Sequence, residues 1–223
     1  MTNVSVKEQC YLKNPAETKL GERIIGASVQ LIAELGFERF TFKRLAAQIG
    51  STEASVYRYF ENKHKLLLYL IAWYWTWRFH QLKMLTDDIK DPTEKLEKII
   101  HFLCKPVEVD SNFDYINEIE LQEIIVAESI KTLHTKEVDD DRKHGYFSAF
   151  KDFIHFISEC MNSINPNYPY CHNLASMLID NIQEQKFNFV HFATISNLSP
   201  KKTESDLQSF FSHLIFSTLK SSI

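Results

Sequence analysis

Residues that interrupt helices are scarce in this sequence, with 5 glycines and 6 prolines among 223 positions. Cysteines number four, Cys10, Cys104, Cys160 and Cys171, far apart and without CxxC spacing. That spacing does not support a structural zinc or a dithiol redox motif and suits a reducing cytoplasm. The longest strongly apolar run, Leu66 to Trp77, covers 12 residues between Lys65 and Arg78. A membrane-spanning helix needs about 20, so the run reads as a buried helix and no membrane partner is expected. Residues 1–19 hold no apolar core of the kind a secretory signal requires, which leaves the cytoplasm as the expected compartment. Also missing are a glycine-rich phosphate loop, a nucleophile elbow and an HExxH pair. No catalytic residue, metal or cofactor is therefore expected, and the chain does not read as an enzyme.

What is present is 44% hydrophobic and 24% charged, the balance of a soluble globular chain with a substantial core. Charge is uneven along it. Residues 1–65 hold 10 Lys and Arg against 7 Asp and Glu, net +3, whereas residues 66–223 hold 15 against 22, net −7. A small basic end on an acidic body permits nucleic-acid binding by the N-terminal part and argues against a broadly basic surface.

Apolar residues recur at spacings of three and four, the period of a helix with one buried face. Leu20, Ile24, Ala27, Leu31 and Leu35 form such a stripe, and Gly36 follows as its C-terminal cap. Thr41 can cap a second helix, with Phe42, Leu45, Ala46 and Ile49 inward and Lys43, Arg44 and Gln48 outward. A third helix starts at Ser51 or Thr52 and runs to about Phe60. Asn62 caps a fourth, which continues through the aromatic run to about Leu85. Further helices are expected at about 93–105, 116–135, 142–164, 171–195 and 203–220, about nine in all, with a solvated acidic loop at Asp139 to Asp141.

The second and third helices and the glycine between them form a compact pair. Steeply crossing helices need a small residue at their closest approach and a turn that tolerates positive φ. Ala46 and Gly50 supply these, and Val56 supplies the apolar plug. This is the helix-turn-helix pattern. Its second helix would present Thr52, Glu53, Ser55, Tyr57 and Arg58, which combine short polar groups, a phenol and a guanidinium suited to base edges and phosphates.

Here a resemblance becomes specific. Gly36-Phe37, Thr41, Leu45-Ala46, Ile49-Gly50, Val56-Tyr57 with Tyr59-Phe60, Asn62-Lys63 and Leu66-Leu67 occur together and in order. The stretch resembles the DNA-binding domain of the tetracycline-repressor (TetR) family of bacterial transcription regulators. The resemblance implies phosphate contacts by Tyr57 and Lys63, with Lys43 and Arg44 as further candidates, and base-facing positions at Thr52 to Ser55. Glu53 departs from the family pattern. A carboxylate there either accepts from a cytosine amino group or repels the DNA, and an acid in the first helical turn is also stabilised by the helix dipole.

The expected architecture is all-α, with a helix-turn-helix domain over residues 1–65 and a helical ligand-binding and dimerisation domain over 66–223. Leu174, Leu178, Ile182, Phe189 and Phe192, then Leu207, Phe210, Phe211, Leu214 and Ile215, line the last two helices, with Ile179, Val190 and Phe216 off those stripes. More than one apolar face suggests more than one packing partner, and the resemblance implies a homodimer formed there. It also implies a repressor of an operator in double-stranded DNA, released by a small-molecule effector. Trp77, His80 and His155 are candidates for lining the effector site, although most of the aromatic run reads as core, and His80, His155 and His191 read as ordinary core or surface histidines. The competing reading is a DNA-bound adaptor or scaffold whose body binds a protein.

Overall fold

A computed structural model describes residues 4, 6, 10–133, 147–191 and 203–220. Among these residues the chain forms nine α-helices and no strand: α1 (Lys19–Leu35), α2 (Phe42–Gln48), α3 (Glu53–Tyr57), α4 (Lys63–Thr86), α5 (Pro92–Cys104), α6 (Glu118–Leu133), α7 (Ser148–Ile164), α8 (Cys171–His191) and α9 (Thr203–Lys220). Each expected helix has a counterpart. The third is shorter than its sequence pattern implied, ending at Tyr57 rather than Phe60. Tyr59 and Phe60 are both buried, and successive residues of a helix point about 100° apart. The chain turns inward to bury both rings, with the amides of Tyr59 and Phe60 donating to the Val56 carbonyl at 2.9 and 3.2 Å. The acidic run at Asp139 to Asp141, the start of the seventh helix before residue 147 and the position of Phe192 lie outside the described residues, as do the side chains of Phe189, Val190 and His191.

Helix starts follow the capping residues. Thr18, Thr41 and Thr52 each accept a backbone N–H from the residue three positions on, and Asp91 does the same for Glu94 at 2.8 Å ahead of α5. Such caps satisfy amides that have no partner within the helix. Gly36 and Gly50, at φ 76° and 61°, end α1 and the α2 turn in a conformation that a side chain disfavours.

By packing, the chain falls into two compact units: Met1–Trp77 with Val107–Phe150, and Arg78–Pro106 with Lys151–Ile223. The division between the packing units falls within α4. In the first unit, an aromatic series runs from Phe37 and Phe40 to Phe42 and Tyr57, and Phe60 meets Tyr69 edge-on at 5.4 Å. The segment before α1 folds back on this core. The Leu12 amide donates to the Tyr59 carbonyl at 2.8 Å, Thr18 Oγ1 and Tyr59 Oη lie 2.7 Å apart, and Lys13 sits over the Tyr59 ring at 5.3 Å.

The loop between α5 and α6 is also fastened within the first unit. Trp77 Nε1 donates to Asp110 Oδ2 at 2.9 Å, and Trp73 meets Phe113 edge-on at 5.2 Å. In the second unit, α5, α8 and α9 pack on one another. Two cations close the carboxyl end of α5: Arg78 donates to the Phe102 carbonyl at 3.2 Å, and Lys186 donates to those of Leu103 and Lys105 at 2.7 and 3.0 Å. Burial, with Arg78 adding to it, pushes the Lys186 ammonium down to about 8. All four cysteines are buried, and none forms a disulfide.

Among the described residues of the first unit, Glu118 is the most confined carboxylate, with 0% of its surface exposed. Its Oε2 accepts the Asp110 amide at 3.2 Å, while Oε1 has no hydrogen-bond partner. Burial pushes the carboxyl from 4.5 up to about 7, against the backbone bonds that favour the anion and with a smaller push from Asp110. The folded protein thus holds this proton more tightly than the unfolded chain. The associated stability is complete below about pH 4.5 and is lost as pH rises through about 7. Thermal unfolding should show wild type losing stability between pH 5 and 8 relative to Glu118→Gln, by on the order of 2 kcal/mol. Parallel curves for the two proteins would mean the buried carboxyl is not held in this way.

Candidate nucleic-acid interface

The α2–α3 pair is assembled by few contacts. Gly50 makes the turn, and the Ser51 amide closes it by donating to the Ala46 carbonyl at 2.8 Å. Val56 has no exposed surface, and Ala46 and Leu45 on the helix that α3 packs against are themselves buried. With that plug in place, Lys43, Arg44, Thr52, Glu53, Ala54, Tyr57 and Arg58 are all exposed, and Ser55 is half-buried. The structure therefore puts eight of the nine expected DNA-facing residues on two adjacent short helices and the turn joining them.

Local bonds hold several of these groups in position. Thr52 Oγ1 accepts the Ser55 amide at 3.3 Å and lies 3.0 Å from Ser55 Oγ. Arg58 Nη2 donates to that same Ser55 oxygen at 3.4 Å. A hydroxyl has one donor and two acceptor positions, so these side chains keep capacity for an outside partner. The Tyr57 ring is braced edge-on against Phe42 at 5.0 Å yet 48% exposed, which fixes the phenol without hiding it. Chemically, the surface offers three cations, a phenol and short hydroxyls around a single carboxylate, Glu53.

Lys63 is placed differently. Its ammonium donates to the carbonyls of Phe37 and Glu38 at 3.0 and 3.1 Å and reaches that of Phe40 at 3.5 Å, and it sits 4.7 Å over the Phe37 ring. It fastens the α1–α2 turn to the start of α4. No sequence signal marks this role, because the carbonyls it satisfies belong to residues 23 to 26 positions away.

Arg23 was likewise not legible as a contact. Its guanidinium donates to the Ile49 carbonyl at the end of α2, and Gln48 Nε2 donates to Gln30 Oε1 at 2.8 Å, so α1 is tied twice to the helix-turn-helix. Both ties border a cleft of about 490 Å³ that Tyr115 also lines. Of the candidates for an effector site, Trp77 is buried and bonded to Asp110, while His80 and His155 are exposed. The described residues include no group of three or more His, Cys, Asp or Glu side chains placed to hold a metal ion, and no helix among them is long and apolar enough to cross a membrane.

Hydrogen bonds from a charged donor contribute more than neutral ones. Lys63→Ala should therefore cost about 1 to 2 kcal/mol and lower the thermal midpoint by several degrees, whereas Lys43→Ala, at an exposed position, leaves it unchanged. Equal midpoints for the two variants would show that the carbonyl contacts do not support the fold.

Comparison with known proteins agrees with this geometry. Residues 24–70 match the family model described as "Bacterial regulatory proteins, tetR family". The fatty acid metabolism regulator protein of Bacillus subtilis is 28% identical over 105 residues, 45% of this chain and 52% of that protein. The nucleoid occlusion factor SlmA of Vibrio campbellii is 30% identical over 88 residues, 39% of this chain and 45% of that protein. The chain thus spans about half the length of these curated relatives. Its fold is like that of the fatty acid degradation regulator FadR from Bacillus halodurans, with a TM-score of 0.59 at 18% identity over 90% of this chain and 94% of that one. The helix-turn-helix that these residues build is thus similar, over residues 24–70, to that of the tetR family of bacterial regulatory proteins, and the all-helical fold that carries it is like that of FadR.

Proposed function

We infer that the protein is a sequence-specific regulator of transcription, a binding protein rather than an enzyme. In this reading it represses from an operator in double-stranded DNA and is released by a small-molecule effector held in the helical part beyond residue 65. The observation that carries the reading is the exposed array on α2 and α3, with Tyr57 braced on Phe42 and cations on either side. Thr52 to Ser55 would face base edges in the major groove, and Lys43, Arg44, Tyr57 and Arg58 the phosphates. Lys63 would act first through the turn it fastens and reach a phosphate only by giving up a carbonyl.

Two of the compared proteins are named as regulators of fatty acid metabolism or degradation, which makes fatty-acyl compounds the first effectors to test. A ligand of this kind changes operator affinity only by its differential affinity for two states of the protein. The likeness to a nucleoid occlusion factor favours the competing reading of a DNA-bound adaptor, in which operator affinity would not respond to small molecules.

A homodimer through α8 and α9 completes the reading. Met177 and Phe187 on α8 and Phe210 on α9 are large apolar residues left exposed, Phe210 by 47%, beside stripes that bury Leu174, Leu178, Ile182, Leu207 and Ile215. A two-fold pair of heads would reach half-sites roughly 34 to 36 Å apart. Phe210→Glu should shift the protein towards monomer in sedimentation velocity and lower operator affinity at least tenfold. A variant that stays dimeric with full affinity would place the interface elsewhere.

The direct test is selection of bound fragments from the source genome, cytoplasmic DNA being the expected target, followed by affinity with and without fatty-acyl compounds. Enrichment of a shared inverted repeat is expected, and enrichment of none would overturn the reading. On that operator, Glu53→Gln should alter preference at one base pair per half-site if the carboxylate accepts from cytosine. A uniform gain in affinity would instead show repulsion, and no change would reduce Glu53 to a helix-end charge.

A further inference from the structure

Helix α1 carries an interior glycine whose backbone needs no special conformation, since positive φ occurs only at Gly36 and Gly50 among the glycines of the described residues. In a helix interior glycine costs up to about 1 kcal/mol relative to alanine. Gly26 is explained by what lies on it. A Cβ at this position would overlap the carbonyl oxygen of Tyr115, and the Tyr115 carbonyl carbon would be 3.2 Å away. The backbone of the 107–117 segment therefore rests directly on α1.

Gly26 stands three residues after Arg23 and four before Gln30, on one face of the helix. These are the two side chains that tie α1 to the helix-turn-helix, at the Ile49 carbonyl and at Gln48. Arg23, Gly26, Gln30, Gln48, Ile49 and Tyr115 line the same cleft. At its far end the 107–117 segment is fixed by Trp77 on Asp110 and by the Asp110 amide on Glu118. One continuous set of contacts thus runs from Trp77, through Tyr115 and α1, to the turn before the recognition helix.

We propose that Gly26 is a positioning residue: its missing side chain lets the Tyr115 carbonyl set the place of α1, and Arg23 passes that placement to the Ile49–Ser51 turn that aims α3. The proposal rests on the reading of α3 as a DNA-recognition helix, but its mechanical part does not. Side chains at the DNA surface are untouched by a change at Gly26.

The experiment compares wild type, Gly26→Ala, Arg23→Met and the double variant by amide hydrogen exchange at Gly50 and Ser51, by thermal unfolding and by operator affinity. Without the Tyr115 contact, Gly26→Ala would raise the midpoint through helix propensity. With it, the midpoint falls, exchange at Ser51 speeds by about tenfold, and operator affinity drops by about tenfold, within the range of typical couplings. In the Arg23→Met background the same alanine should change turn exchange and affinity by less than about twofold, the non-additivity of residues acting as one unit. Should Gly26→Ala fail to fold, Arg23→Met alone must still loosen Ser51 and weaken operator binding.

Unchanged exchange at the turn in folded Gly26→Ala, or a full effect of the alanine without Arg23, overturns the proposal even if wild type binds its operator. A loosened turn in a protein that binds no duplex would leave the positioning link standing and remove the DNA reading instead.

Discussion

Ten successive residues of α4, Leu66 to Trp75, are buried, and a helix apolar on every side is stable only where other elements cover its whole circumference. Much of the first unit can be understood as that cover. Phe60, at the end of the recognition pair, and Tyr11, from the segment before α1, both meet Tyr69. Phe113 from the 107–117 loop meets Trp73, and Phe150 at the start of α7 meets Trp75. Elements distant in sequence are thereby gathered on one helix. The exposed face of α2 and α3 has a fixed floor because the residues beneath it, Phe42, Val56, Tyr59 and Phe60, belong to the same packed mass.

The parts of this arrangement that were legible in the sequence are those governed by local rules. Threonine caps, the glycine turn and helical periodicity each act over three or four residues, so α1, α2 and the turn at Gly50 could be read directly. The exposed face of Lys43, Arg44, Thr52, Glu53, Tyr57 and Arg58 followed from the same periodicity. The end of α3 was not legible, because burying two adjacent rings is a tertiary demand that overrides helical continuation. Nor was the extension of the first compact unit through residue 77 and over 107–150, which depends on ring contacts between residues about 40 to 75 positions apart.

Cations show the same limit from another direction. Lysine and arginine near a DNA-binding motif suggest phosphate contacts, and Lys43, Arg44 and Arg58 are free of the core as that reading requires. Lys63, Arg23, Arg78 and Lys186 are instead directed at backbone carbonyls where a helix ends. A helix leaves its last carbonyls without internal partners, and a long flexible side chain from elsewhere can reach them. Composition counts both kinds of cation alike; only the tertiary fold separates a charge offered to a ligand from one consumed by the chain itself.

The fastening of the segment before α1 bears on how the head can be cut out for study. The match to known regulators begins at residue 24, and a fragment trimmed there would remove Leu12, Lys13 and Thr18 from Tyr59 together with the first turn of α1. The Tyr59 hydroxyl and carbonyl would lose those partners just beyond the end of α3. A fragment starting before Cys10 keeps those partners, but it still needs a cover for Trp73 and Trp75 if α4 is retained. The smallest piece of this protein that keeps α4 covered as far as Trp75 is therefore larger than its recognisable domain, and discontinuous in sequence.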